Sequence, residues 1–77
     1  MLLGTVTGNV WATKKCPALT GQALLTVQVG EGVLVCADCV GAGEGERVLV
    51  AIGGAARAAA GQTAPVDAAV VGIIDQH

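Results

Sequence analysis

Residues 2–13 alternate between two sets, as side chains do along a β-strand. One set is wholly apolar and consists of Leu2, Gly4, Val6, Gly8, Val10 and Ala12. The other is largely polar, with Thr5, Thr7, Asn9 and Thr13 among its members. The pattern predicts a strand over residues 2–13 whose apolar face is buried. Its two glycines remove side chains where a strand curls sharply inside a small barrel.

Similar patterns predict four more strands and one helix. The strands are expected at 22–29, 33–38, 47–52 and within 66–75, where the last is centred on 70–74. Residues 30–32 are a glycine-rich turn, 14–21 and 40–45 are loops, and 55–60 is the one stretch with helix propensity. These elements predict a single all-β domain over residues 1–77, a small five-stranded OB-like barrel with one short helix. Closure of the sheet removes the edges that short apolar strands would otherwise expose.

The third to fifth strands are apolar on both faces. Val48, Val50 and Ile52 alternate with Leu49 and Ala51 in the fourth strand, for example. A barrel interior buries only one of the two sets, and a six-residue helix cannot cover the whole of the other. The sequence therefore predicts an obligate oligomer.

Composition narrows the choice of function. Hydrophobic residues make up 53% of the 77 residues and charged residues 13%, with a net charge of −2, one Trp and no Phe or Tyr. Nucleic-acid binding then lacks both its basic surface and its stacking rings. The uncharged stretches 1–13 and 48–56 are too short to cross a bilayer, and no basic segment precedes the first apolar stretch. We expect a cytosolic protein that binds neither membranes nor nucleic acids.

The three cysteines raise the question of a metal or redox site. Cys36 and Cys39 form a Cys-x-x-Cys pair, but a structural zinc site needs four ligands, and only Cys16 and His77 remain. The residues after Cys39 are poor helix formers, unlike those of a thioredoxin-like motif. We expect small buried or strand-end thiols, with Cys16 exposed beside Pro17. No metal or other cofactor is predicted.

The glycine-rich segment 41–46 reads Gly-Ala-Gly-Glu-Gly-Glu. It lacks the third glycine of a dinucleotide-binding loop, precedes a strand, and carries two carboxylates that would repel phosphate. A turn with positive φ angles explains it, and so does a loop that several subunits bring together around a symmetry axis. The chain has no Ser, and its one His is the last residue. No catalytic arrangement is present, so we expect no enzyme activity.

Three stretches, taken in order, resemble one known family. They are residues 12–25 (ATKKCPALTGQALL), 38–46 (DCVGAGEGE) and 65–75 (PVDAAVVGIID). Together they are similar to the EutN/CcmL family, the pentameric vertex proteins of bacterial microcompartment shells. The resemblance implies a cyclic homopentamer in the shell, within the bacterial cytoplasm, with hexameric shell proteins as partners and no catalysis.

Residues 41–43 have little or no side chain and stand beside a carboxylate. In a five-fold ring we therefore expect Gly41, Ala42 and Gly43 near the axis, with Glu44 at the mouth of a narrow pore. The chain departs from the family pattern at 30–32, where relatives often carry a longer segment, and at 53–57, where Gly-Gly-Ala-Ala-Arg replaces Gly-Ser-Ser-Ala-Arg. Two other functions remain open: an OB-type nucleic-acid-binding module, and a small metal or redox module that uses Cys36 and Cys39.

Overall fold

The computed structural model describes residues 1–75, which form five strands and one α-helix. The elements are β1 (Leu2–Val10), β2 (Leu24–Val29), β3 (Gly32–Asp38), β4 (Arg47–Ile52), α1 (Gly54–Ala60) and β5 (Ala68–Ile73), with a 3₁₀ turn at Pro17–Leu19. The strands close into a barrel in the order β1-β2-β3-β5-β4, and the β3–β5 pair is the parallel one among the described strands. This confirms the predicted fold class. His77, the one candidate imidazole, lies outside the described residues.

The first strand is shorter than its alternating pattern predicted. β1 ends at Val10 instead of residue 13, and β2 begins at Leu24 instead of residue 22. Val10 and Leu24 are the last pair of the β1–β2 ladder. Beyond that pair the two chain segments diverge, so the alternation continues in sequence without a hydrogen-bonding partner. Trp11 leaves the sheet here and is 87% exposed.

The barrel interior is filled by aliphatic side chains from all five strands. The main buried cluster comprises Val6, Leu25, Val27, Cys36, Val48, Val50, Ala68 and Val70. The apolar set of β1 faces this interior, as predicted. Gly4 is buried, and a Cβ atom there would lie 2.9 Å from the carbonyl oxygen of Gln28 on β2. The close approach of two strands therefore requires glycine at this position.

A second, smaller cluster lies outside the barrel, beneath α1. Its buried members are three alanines, Ala37 of β3, Ala56 of α1 and Ala69 of β5, with Val71 packed against them. The helix thus covers the outer face of the sheet at the one place where β3 and β5 pair. No helix among the described residues is long and apolar enough to cross a membrane.

The ladder between β3 and β5 is short. It contains only two residue pairs, Ala37 with Ala69 and Asp38 with Val70. The earlier part of β3, Gly32–Cys36, pairs with β2 on one side along its whole length. On its other side no strand of the described chain flanks it, which leaves an open sheet edge.

Candidate functional site

The glycine-rich loop between β3 and β4 is held by the carboxylate of Asp38. Its Oδ1 accepts hydrogen bonds from the main-chain N–H groups of Val40 (3.1 Å), Gly41 (2.9 Å) and Ala42 (3.2 Å). Its Oδ2 accepts a second bond from Ala42 (3.1 Å). Three consecutive amides therefore converge on one side chain at the end of β3. This role was not predicted from the sequence, although an Asp a few residues before a glycine, as Asp38 is before Gly41, is a known signal for a side chain that accepts bonds from turn amides.

The second half of the loop is held by Glu46 and by β1. Glu46 Oε1 accepts a hydrogen bond from the Gly43 N–H at 2.6 Å, and the Glu46 N–H donates to the Gly43 carbonyl at 3.1 Å. The Gly45 N–H donates to the Val6 carbonyl at 2.8 Å, and the Val6 N–H donates to the Glu46 carbonyl at 3.0 Å. Both loop ends are thus fixed to the barrel, while the side chain of Glu44 is exposed.

Two of the three glycines in this loop are required by their backbone conformation, and the third is not. Gly41 and Gly45 have positive φ angles of 76° and 89°, which side chains rarely adopt. Gly43 has no such angle, and a Cβ atom there would meet only Glu46 Oε1, at 3.3 Å. The conformation of a single chain therefore explains Gly41 and Gly45 better than it explains Gly43. The four residues expected near a pore, Gly41, Ala42, Gly43 and Glu44, lie together in this braced loop.

Two uncovered apolar surfaces lie on the outside of the barrel. The β3 surface consists of Val33 and Val35, which are 58% and 50% exposed. The β1–β4 surface consists of Leu3, 53% exposed, and its cross-strand partner Leu49. The doubly apolar strands predicted surfaces of this kind. The helix covers one part of the outer sheet, and these parts remain open in the single chain.

The cysteines are placed separately. Cys36 is buried in the barrel, and its burial, with a smaller contribution from the negative charge of Asp67, raises its pKa to about 11. Cys39 follows β3 and is exposed. Its pKa is raised by the partial burial of its thiol and, to a smaller extent, by the negative charge of Asp38. Cys16 is exposed in the loop after β1, as predicted. Both raised pKa values disfavour the thiolate that metal binding and redox exchange require. Within residues 1–75, no three Cys, His, Asp or Glu side chains are grouped to hold a metal.

An open groove of about 190 Å³ lies where β1 ends and β2 begins. Its lining includes Trp11, Lys15, Gln22 and Leu24. The single aromatic ring here gives one stacking surface beside one lysine, whereas single-stranded nucleic acid is bound by several rings along a basic groove. The groove gives no support to the OB-type nucleic-acid-binding alternative.

Known proteins match this chain along almost its whole length. The family model described as "Ethanolamine utilisation protein EutN/carboxysome" matches residues 1–75. The carboxysome shell vertex protein CcmL of Synechocystis sp. is 49% identical over 83 aligned positions, covering 97% of this chain and 83% of the relative. The microcompartment shell vertex protein GrpN of Rhodospirillum rubrum is 43% identical, covering 97% and 93%. The solved structure of GrpN, described as a pentameric microcompartment shell protein, superposes with a TM-score of 0.86 at 41% identity, covering 99% of this chain and 95% of GrpN.

Proposed function

The chain belongs to the EutN/CcmL family, and we propose that five copies of it form a ring that occupies a vertex of a bacterial microcompartment shell. The observation that carries this function is the match along almost the whole chain to shell vertex proteins, one of which is pentameric in its solved structure. The uncovered apolar surfaces of the barrel supply the physical need for association. Neither the nucleic-acid-binding nor the cysteine-based alternative gains support from these relatives.

Shell closure explains why a five-fold component is needed. A sheet tiled only with six-fold units is flat, and five-fold positions allow it to curve and close. The proposed partners are therefore hexameric shell proteins that form the facets, and the proposed location is the shell within the bacterial cytoplasm. In a cyclic ring each subunit uses two different surfaces, one toward each neighbour. The barrel presents two separate apolar surfaces, on β3 and on β1–β4.

The role we propose is structural, without catalysis. Asp38 and Glu46 use their carboxylates to hold main-chain amides of the loop. The raised pKa values of Cys36 and Cys39 keep these thiols protonated near neutral pH. The side chains of the loop thus serve its conformation. We also propose that residues 1–77 form one domain, which suits a single tile of a larger shell.

For the loop itself, the proposal is that Gly41, Ala42 and Gly43 lie close to the five-fold axis, with Glu44 at the mouth of a narrow pore. Gly43 supports this placement because the one close neighbour of a Cβ atom there among the described residues is the end of the Glu46 side chain, whereas crowding by neighbouring subunits would require a glycine. The hydrogen bonds that Asp38 and Glu46 accept from main-chain amides would give five copies of the loop the same conformation. Glu44, exposed in the single chain, would then contribute five carboxylates around the opening.

Two measurements test the proposed function. Native mass spectrometry of the purified protein at micromolar concentration should show mainly a pentamer of 7.5 kDa subunits. Mainly monomer or dimer would contradict the ring. Co-production with hexameric shell proteins should give closed polyhedra by electron microscopy, whereas omission of this chain should give sheets or tubes with unsealed corners. Closed polyhedra without any vertex protein would contradict the role in closure.

A further inference from the structure

The β3 surface has an open main-chain edge as well as exposed side chains. The Asp38 N–H donates toward β2, to the Ala23 carbonyl, and the Cys39 N–H donates toward β5, to the Val70 carbonyl. Main-chain groups alternate in direction along a strand, so those of Val33 and Val35 point to the side on which no described strand flanks β3. An apolar edge of this kind is normally covered, because it would otherwise pair with other chains.

The β1–β4 surface lies across the barrel from the β3 surface. In the strand order β1-β2-β3-β5-β4, β3 is two strands away from both β1 and β4. Leu3 and Leu49 pair directly across the β1–β4 ladder. Leu49 lies over Gly72, since a Cβ atom at position 72 would be 3.3 Å from the Cδ1 atom of Leu49. A head-to-tail ring uses two different surfaces of each subunit, and two separate apolar surfaces meet that need.

The charges beside the two surfaces are opposite. Glu31, exposed in the turn before β3, precedes Val33 by two residues. Arg47, exposed at the start of β4, precedes Leu49 by two residues and so lies on the same face. When the two surfaces meet, one contact can place a carboxylate and a guanidinium at its rim. Complementary rim charges help fix which surfaces associate and in which orientation.

We propose that the β3 surface of one subunit, with Glu31 at its rim, packs against the β1–β4 surface of a second copy of this chain, with Arg47 at its rim. This inference rests on the proposed ring and specifies which faces form its five equivalent contacts. The short chain segment 30–32 keeps Glu31 adjacent to the valines, so the charged and apolar parts form one continuous surface.

Charge reversal tests the pairing. Glu31→Arg and Arg47→Glu should each raise the concentration at which half of the subunits are in the ring by about threefold or more, because like charges then face each other. The double variant should return this concentration to within about twofold of the original protein, since the pair is restored in reverse. Gln62→Arg, an exposed position on neither surface, is the control and should leave the concentration unchanged. Additive losses in the double variant would overturn the pairing.

Cross-linking tests the same contact without relying on charge. In a background with Cys16→Ser and Cys39→Ser, Leu3→Cys and Val35→Cys in one chain should form disulfides between subunits on mild oxidation, giving a denaturant-resistant ladder up to five chains. Val35→Cys with Gln62→Cys is the control and should not form the ladder. A pentamer by native mass spectrometry that shows neither the ladder nor charge rescue would overturn this inference alone. Absence of the pentamer from the unmodified protein would overturn the proposed function itself.

Discussion

The outer face of β3 is covered at one end and open at the other. At the covered end Ala37 is 1% exposed, packed with Ala56 of α1 and Ala69 of β5. At the open end Val33 is 58% exposed and Val35 is 50% exposed. The covered end carries methyl groups, which let the helix approach closely, and the open end carries larger aliphatic side chains. On the outer face of β3, the helix therefore covers the small side chain of Ala37, and the larger Val33 and Val35 stay exposed in the single chain.

The strongest test of this difference places a carboxylate at each end. Val71 of β5 is partly buried against the alanine cluster of the covered end, so the unpaired carboxylate of Val71→Asp should lower the free energy of unfolding by about 2–3 kcal/mol. For a domain this small, we expect most of the protein to be unfolded by circular dichroism. Val35→Asp should instead leave a folded subunit that no longer forms the ring. An unfolded Val35→Asp chain, or a folded Val71→Asp ring, would remove the distinction between the two ends.

A change in size tests the covered end alone. Ala69 is fully buried under the helix, so Ala69→Leu should displace α1 and cost about 1–3 kcal/mol through overpacking. Ala58→Leu on the exposed side of the same helix is the matched control and should change stability by less than about 0.5 kcal/mol. Urea denaturation of both variants measures the difference. Equal effects would mean that the alanines are not required for close packing.

Cys36 lies on the interior face of β3, and its buried thiol makes the folding stability depend on pH. Burial holds the pKa of its thiol at about 11 in the folded chain, against 9.0 for the free group. The unfolded chain therefore loses its thiol proton first, and folding stability decreases as the pH rises above about 9. The loss from this group should reach about 1 kcal/mol at pH 10. Cys36→Ala should lack this part of the pH dependence, as measured by denaturation at pH 8 and pH 10, and an identical slope in both proteins would contradict it.

Alternation and composition were sufficient to predict the barrel and the need for a partner. β4 has the predicted bounds, and the inward set of β1 is buried at Gly4 and Val6 and half-buried at Leu2, Gly8 and Val10. The predicted end of β1 lay three residues too far along the chain, because a strand ends where its hydrogen-bonding partner in the ladder ends. Val10 pairs with Leu24, and the sequence around Trp11 contains no sign that the neighbouring strand has already turned away.

The conformation of the glycine-rich loop was also predictable only in part. Its glycines predicted positive φ angles, which Gly41 and Gly45 have. The pattern did not reveal that Asp38 and Glu46 hold the amides, because those bonds depend on how a side chain folds back over a turn. The interior and exterior sets of each strand were also predictable, but which part of the exterior α1 covers was not. That depends on the short β3–β5 ladder, which brings Ala37 beside Ala69.

The smallest effect on the subunit is expected at the open end. Thr keeps the branched shape and strand preference of Val, so Val33→Thr with Val35→Thr should change the unfolding free energy of a separated subunit by less than about 0.5 kcal/mol. Its effect should be seen in the dependence on concentration. For the original protein the thermal midpoint should rise with protein concentration, because association stabilises the folded state by mass action. The hydroxyl groups weaken an apolar contact, so the double variant should need a higher concentration for the same rise. Differential scanning calorimetry over a hundredfold range of concentration measures this, and coincident curves for the two proteins would show that Val33 and Val35 are not covered in the ring.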